Sequence, residues 1–204
     1  YLLSEEKSEM IAAYGEALAP EFDECYSGFL SGNEMLLSAE VYGDSSGEVL
    51  YKLDTDGNIQ ETIPLNIEDG GYVSAFSCDD EGTVYSVATV YDESENEDGE
   101  YEYESKHIIY AVKDGENVKI GEIGDTSFGD SNVDDLVVSG DNIYVMICIY
   151  EEDGQKYVVL QLDKECNTIS QIELGEEVEY CMGIINTSSD IYITYRDKEH
   201  SGAM

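Results

Sequence analysis

The stretch Asp79 to Tyr91, DDEGTVYSVATVY, sets the pattern for the chain: a glycine-containing turn, then an alternating β-branched and aromatic strand. It recurs, with Gly32-Asn33 leading into EMLLSAEVY, Gly140-Asp141 into NIYVMICIY, and Ser188-Ser189 into DIYITYRDK. In that register Tyr85, Tyr144 and Tyr192 share a column with Leu36, and Tyr42, Tyr91 and Tyr150 share a second. Coincidence of one column over four copies and a second over three identifies an internal repeat, which constrains architecture more than activity.

Around each copy the sequence supplies further strands joined by short turns. Residues 24–70 give strands over 25–31, 34–42, 48–54 and 58–65; residues 71–131 give 72–78, 83–91, 107–113 and 117–123; residues 132–178 give 133–139, 142–150, 157–163 and 168–174. The last copy, 179–204, shows only 180–186 and 190–196. Turns such as Gly32-Asn33, DSSG (44–47) and TDG (55–57) supply the positive φ of tight hairpins, so each unit reads as an antiparallel up-and-down meander. One such sheet cannot bury both faces alone, whereas stacked copies cover one another. Four-stranded meanders at roughly 45-residue spacing therefore predict an all-β fold of β-propeller-type blades, three full and one half, in a single repeat domain over 24–204. A β-sandwich or other all-β stack is the alternative.

Residues 1–23 stand outside the repeat. Ser4, Glu5 and Glu6 suit a helix N-terminus, Met10, Ile11, Tyr14, Ala17 and Leu18 follow at helical spacing, and Pro20 stops the pattern. The expectation is one short amphipathic helix. A second interruption is DESENEDGEYEYESK at 92–106, which carries eight carboxylates. Like charges at that density predict a solvated loop, with Asp92, Glu93 and Asp98 as weak candidates for a divalent cation.

The formal net charge of −38 excludes partners that are themselves polyanions: nucleic-acid backbones and anionic membrane surfaces are repelled. No apolar run approaches the length needed to insert in a bilayer. Five cysteines without a C-x-x-C pair give no metal or redox cluster, and Cys148 within VMICIY reads as a buried hydrophobe. Asp54, Asp56 and Asn58 resemble the opening of a calcium loop, but the position that needs a bidentate Glu is Leu65, so DTDGN reads as a hairpin turn. Weakly bound Ca2+ is thus the one cofactor left open. Neither His107 nor His200 belongs to a Ser, Cys or His constellation in the sequence, and both read as ordinary polar positions.

Two phrases carry a resemblance. LYKLDTDGN (50–58) and DDEGTVYSV (79–87) resemble the strand-turn-strand phrases of NHL-like and sensor-type β-propellers. GFLSGNEMLLSAEVY with LYKLDTDGNIQETIPL and GYVSAFSCDDEGTVYSV is similar to propeller segments of surface lipoproteins of Gram-positive anaerobes, where a propeller accompanies an extracellular solute-binding domain. The resemblance spans residues 24–196 and implies an extracellular or cell-surface lipoprotein. The opening on Tyr1, without an initiator Met, fits a longer parent whose targeting segment is removed.

In a propeller the connections after the second and fourth strands share one face. They carry Tyr72, Tyr101, Tyr103, Phe128 and Tyr180, aromatic candidates for stacking on a carbohydrate, peptide or protein ligand. The expected function is a non-catalytic binding or interaction module; the alternative is a glycan hydrolase or lyase using carboxylates at the channel mouth. The incomplete last blade also predicts self-association.

Overall fold

A computed structural model describes residues 24–31, 34–41, 47–54, 56–95, 101–123, 128–152, 154–187 and 190–198. The expected helix within 1–23 lies outside the described residues. The described residues form fourteen strands and one 3-10 turn (Glu68–Gly70). The strands are β1 Glu24–Ser31, β2 Glu34–Val41, β3 Gly47–Leu53, β4 Ile59–Pro64, β5 Tyr72–Cys78, β6 Val84–Glu95 and β7 Tyr101–Lys113. They continue as β8 Glu116–Glu122, β9 Ser131–Ser139, β10 Asn142–Glu151, β11 Gly154–Asp163, β12 Thr168–Glu173, β13 Val178–Asn186 and β14 Ile191–Asp197.

They assemble into three four-stranded sheets, β1-β2-β3-β4, β5-β6-β7-β8 and β9-β10-β11-β12, and a two-stranded sheet, β13-β14. Every sheet is a meander in chain order, as the turn spacing predicts. The chain divides into two compact units, residues 1–66 with 113–117, and residues 67–112 with 118–204. Each of these sheets, among the described residues, has the meander order of a blade.

The repeat extends to an irregularity the sequence did not reveal. In β1 the ladder jumps from Cys25↔Ala39 to Ser27↔Ser38, and in β5 from Val73↔Ala88 to Ala75↔Val87. In β9 the same jump lies between Asp135↔Met146 and Val133↔Ile147, and in β13 between Cys181↔Tyr195 and Gly183↔Thr194. Aligned on the Leu36, Tyr85, Tyr144 and Tyr192 column, these four bulges fall at one position. The residues they eject from the ladder are Tyr26, Ser74, Asp134 and Met182. A bulge adds local twist, and bending every first strand at the same place gives the sheets a common shape.

In the first unit Leu37, Ala39, Tyr51 and Leu53 form a core with Met35, Val49 and Ile59 on one face of the β1–β4 sheet. In the second unit the first strands are neighbours, β5 beside β9 and β9 beside β13, and the sheets stack through their faces. Strand β10 sits in the middle of that stack. Its odd-numbered Ile143, Val145, Ile147 and Ile149 enter one core with Val87 and Ile109 of the preceding sheet. Its even-numbered Met146 and Cys148 enter a second with Cys181 and Ile184 of β13. Burial on both faces explains why NIYVMICIY is nearly continuous in apolar residues rather than alternating.

The acidic segment 92–106 departs from expectation. Its described residues, 92–95 and 101–106, are strand rather than loop: β6 runs on to Glu95 and β7 starts at Tyr101, with Glu93↔Tyr103 and Glu95↔Tyr101 paired across the ladder. The period-two alternation of tyrosine and carboxylate in 101–104 suits paired strands despite the charge. Only Asp92↔Glu104 sets like charges opposite each other within these pairs.

Candidate functional site

The connection into β9 is the base of the site. Gly129 takes the left-handed conformation at φ 62°, and the segment is pinned on both sides, the Ser105 amide donating to Gly129 O at 2.9 Å and the Tyr150 amide to Asp130 O at 2.8 Å. With the β10–β11 turn and the end of β12 it forms an open groove of about 450 Å³ lined by Phe128, Asp130, Tyr150, Glu151, Lys156 and Glu173. A second depression of about 350 Å³ shares Glu151, Lys156 and Glu173 and continues past Gly175 to Val178 and Lys198. The Lys156 ammonium bridges the two, 2.6 Å from Glu151 Oε1, and that bond holds its pKa above the ordinary lysine value. An exposed pair of this kind contributes little stability. Its effect is local, leaving Asp130 and Glu173 to give the groove a negative balance.

Beside Asp130 lies an aromatic group. Tyr72 and Tyr91 stack with centroids 6.1 Å apart at 29°, their hydroxyls 3.3 Å apart, and the Tyr72 hydroxyl donates to Asn132 Oδ1 at 3.0 Å. Burial, reinforced by the Tyr72 hydroxyl, pushes the Tyr91 phenol well above its usual pKa. Tyr150 is the repeat equivalent of Tyr91 and, like it, exposes a large part of its ring. Aromatic faces with adjacent amide and carboxylate acceptors suit ligands that present both apolar and hydrogen-bonding surface.

Two of the five aromatic candidates, Tyr72 and Phe128, thus lie on either side of the β9 entrance. Tyr101 and Tyr103 belong to β7 rather than to a loop, opposite Glu95 and Glu93; their side chains lie outside the described residues. Tyr180 stands on β13 opposite Arg196, exposed and away from the lining of both depressions. Asp92 and Glu93 are exposed strand residues, and Asp98 lies outside the described residues. Among the described residues no three His, Cys, Asp or Glu side chains form a metal-binding group. Tyr91 and Tyr150 were missed as site residues, although their shared column was the available signal.

The reading of His107 as isolated is corrected by the fold. Its Nε2 lies 3.0 Å from Ser131 Oγ and its Nδ1 3.1 Å from Thr89 Oγ1, which in turn is 2.6 Å from Ser74 Oγ. Sequence distance hid the cluster, because Ser131 is on the first strand of the next sheet. A histidine touching a serine is the start of a nucleophile pair, but here Ser131 and Thr89 are 0% exposed and His107 2%. Burial holds the imidazole neutral, its pKa lowered to about 4. The partner at Nδ1 is a hydroxyl rather than a carboxylate, so the group acts as a sealed polar tie between sheets.

The DTDGN turn uses its own carboxylate. Asp54 Oδ1 accepts from the amides of Asp56 and Asn58, each at 2.9 Å, and Asn58 Nδ2 and Gln60 Nε2 also donate to Asp54. Asp163 repeats the arrangement toward Glu165 and Asn167, and Asp79 toward Glu81 and Thr83. These are turn-forming Asx contacts. In the last of them Asp79 Oδ2 also takes Lys164 Nζ at 3.2 Å, which donates to Tyr85 OH at 2.9 Å and ties adjacent sheets.

Comparison of the chain with models of known protein families and with curated proteins finds no match.

Proposed function

We propose that this chain is a non-catalytic binding or protein-interaction module, whose ligand seat is the groove between Phe128, Tyr150 and Glu173. The observation carrying the reading is the groove itself: an open depression with an aromatic wall and hydrogen-bonding carboxylates, carried on the ends of stacked sheets. Its contributors are the connection after the fourth strand of one sheet and that after the second strand of the next, where a propeller presents its ligands. In this reading the sheets are blades of an NHL-like or sensor-type propeller. The parent is an extracytoplasmic bacterial protein of the surface-lipoprotein kind, attached to solute uptake, and its ligand is a carbohydrate, peptide or protein.

The test is a thermal-shift screen with neutral oligosaccharides, short peptides and calcium chloride, repeated on Tyr150→Ala. A ligand that raises the melting temperature of the native chain and loses that effect in Tyr150→Ala supports the groove. Absence of a shift from every probe counts against a binding role. Release of product from a glycan replaces the reading with the enzyme.

A further inference from the structure

The two depressions at the β10–β11 turn run into one another through Glu151, Lys156 and Glu173, so the seat is elongated rather than a single cup. Its lining sets four acidic residues, Asp130, Glu151, Glu173 and Glu176, against two basic ones, Lys156 and Lys198. Buried Ile149 and Val158 give the groove an apolar floor, and Tyr150, 45% exposed, lines the same space. Lys156 already places an ammonium there, held chiefly by Glu151 Oε1 at 2.6 Å, with Glu173 adding its charge. Elsewhere the chain holds an ammonium with the same kinds of group. Lys164 Nζ lies 4.2 Å from the centroid of the Tyr85 ring and 3.2 Å from Asp79 Oδ2.

We propose that the groove takes a lysine-bearing segment of a partner protein, laid along both depressions with an ammonium against the Tyr150 ring and the Asp130 and Glu173 carboxylates. The inference rests on the groove being the ligand seat and narrows what occupies it. A neutral ligand covering the groove would take Asp130 and Glu173 out of water without a countercharge, whereas an ammonium pairs with them as it is desolvated. The tyrosine face adds attraction for a cation, and the apolar floor suits the methylene stem of a lysine. An elongated seat fits a chain segment better than a small free amine. The net charge of −38 steers basic partners toward the molecule from a distance. Lys156 is then a resident competitor, and because its exposed pair with Glu151 is weak, an incoming ammonium can displace it.

The test is fluorescence anisotropy of the full chain with a labelled peptide of alternating glycine and lysine, its lysine-acetylated counterpart, and a neutral maltohexaose competitor. Physiological salt, where the Debye length is about 8 Å, screens the remote charges. The lysine peptide is expected to bind and the acetylated peptide to bind far more weakly. Tyr150→Ala is expected to weaken the lysine peptide about two- to five-fold, the worth of an exposed cation–π contact. Glu173→Gln, an exposed change on β12, should weaken it several-fold, whereas Asp141→Asn, the same charge change outside both linings, should alter it little. Lys156→Met should tighten it several-fold, and Lys113→Met should not. Equal losses in Glu173→Gln and Asp141→Asn overturn the proposal, since they report general attraction to a polyanion. Maltohexaose binding that depends on Tyr150, with no groove-dependent binding of the lysine peptide, keeps the groove as the seat and overturns its basic ligand. If no probe responds to Tyr150→Ala or Glu173→Gln, the seat itself is overturned along with the ligand.

Discussion

The buried imidazole of His107 gives the most direct test of the packing. Its environment is closed: the ring touches the hydroxyls of Thr89 and Ser131, and burial is the cause that lowers its pKa from 6.5 to about 4. The folded-state value lies below the unfolded one, so the unfolded chain takes up the proton first as pH falls. Stability owed to the neutral ring is complete above about pH 6.5, is lost progressively toward pH 4, and changes no further once both states are protonated. A displacement of this size corresponds to roughly 3 kcal/mol over the full window, of which about 2 kcal/mol is lost between pH 7 and pH 5. Many carboxylates titrate nearby in pH, so the contribution is isolated by difference. Urea unfolding of the native chain and of His107→Gln at both pH values is expected to show the native chain losing about 2 kcal/mol more than the variant. Imidazole resonances supply a direct readout, since the chain has only two histidines. A His107 midpoint near 6.5, or equal pH slopes in the two proteins, refutes the sealed network.

Three further tests address contacts within the second unit. A methyl group at Gly121 would stand 2.6 Å from Cys166 Cβ and 2.7 Å from its sulfur, so Gly121→Ala is expected to lower stability by about 1–3 kcal/mol. Adding Cys166→Gly removes that clash and releases a non-glycine residue from φ 65°; denaturant midpoints should show recovery rather than a second, additive loss. Lys164→Met removes a half-buried tie to Asp79 and Tyr85 and is expected to cost about 1 kcal/mol. Lys119→Met, which breaks the exposed pairs with Glu68 and Glu122, should leave the thermal midpoint almost unchanged.

Strand positions were legible because turn chemistry and apolar periodicity agree in each copy: β2, β6, β10 and β14 begin within a residue or so of expectation. Strand β10 was legible for a second reason, its run of apolar residues reporting burial on both faces. The hairpin at Asp54 was equally readable, since Asx chemistry is local to the turn. What escaped was non-local. Ser131 meets His107 only because β9 lies against the preceding sheet, and no spacing along the chain encodes that approach. In 92–106 the net charge predicts a loop, whereas the period-two Tyr-Glu alternation of 101–104 fits the strand that sets Tyr101 and Tyr103 opposite Glu95 and Glu93. The site was half readable: loop position points to Tyr72 and Phe128, whereas Tyr91 and Tyr150 stand out only by their shared column.

The common bulge has an evolutionary consequence. A residue ejected from the ladder is excused from the cross-strand matching that constrains its neighbours, so its side chain can change while the register on either side is kept. The four copies show that latitude, with Tyr26, Ser74, Asp134 and Met182 spanning aromatic, hydroxyl, acidic and thioether chemistry at one structural address.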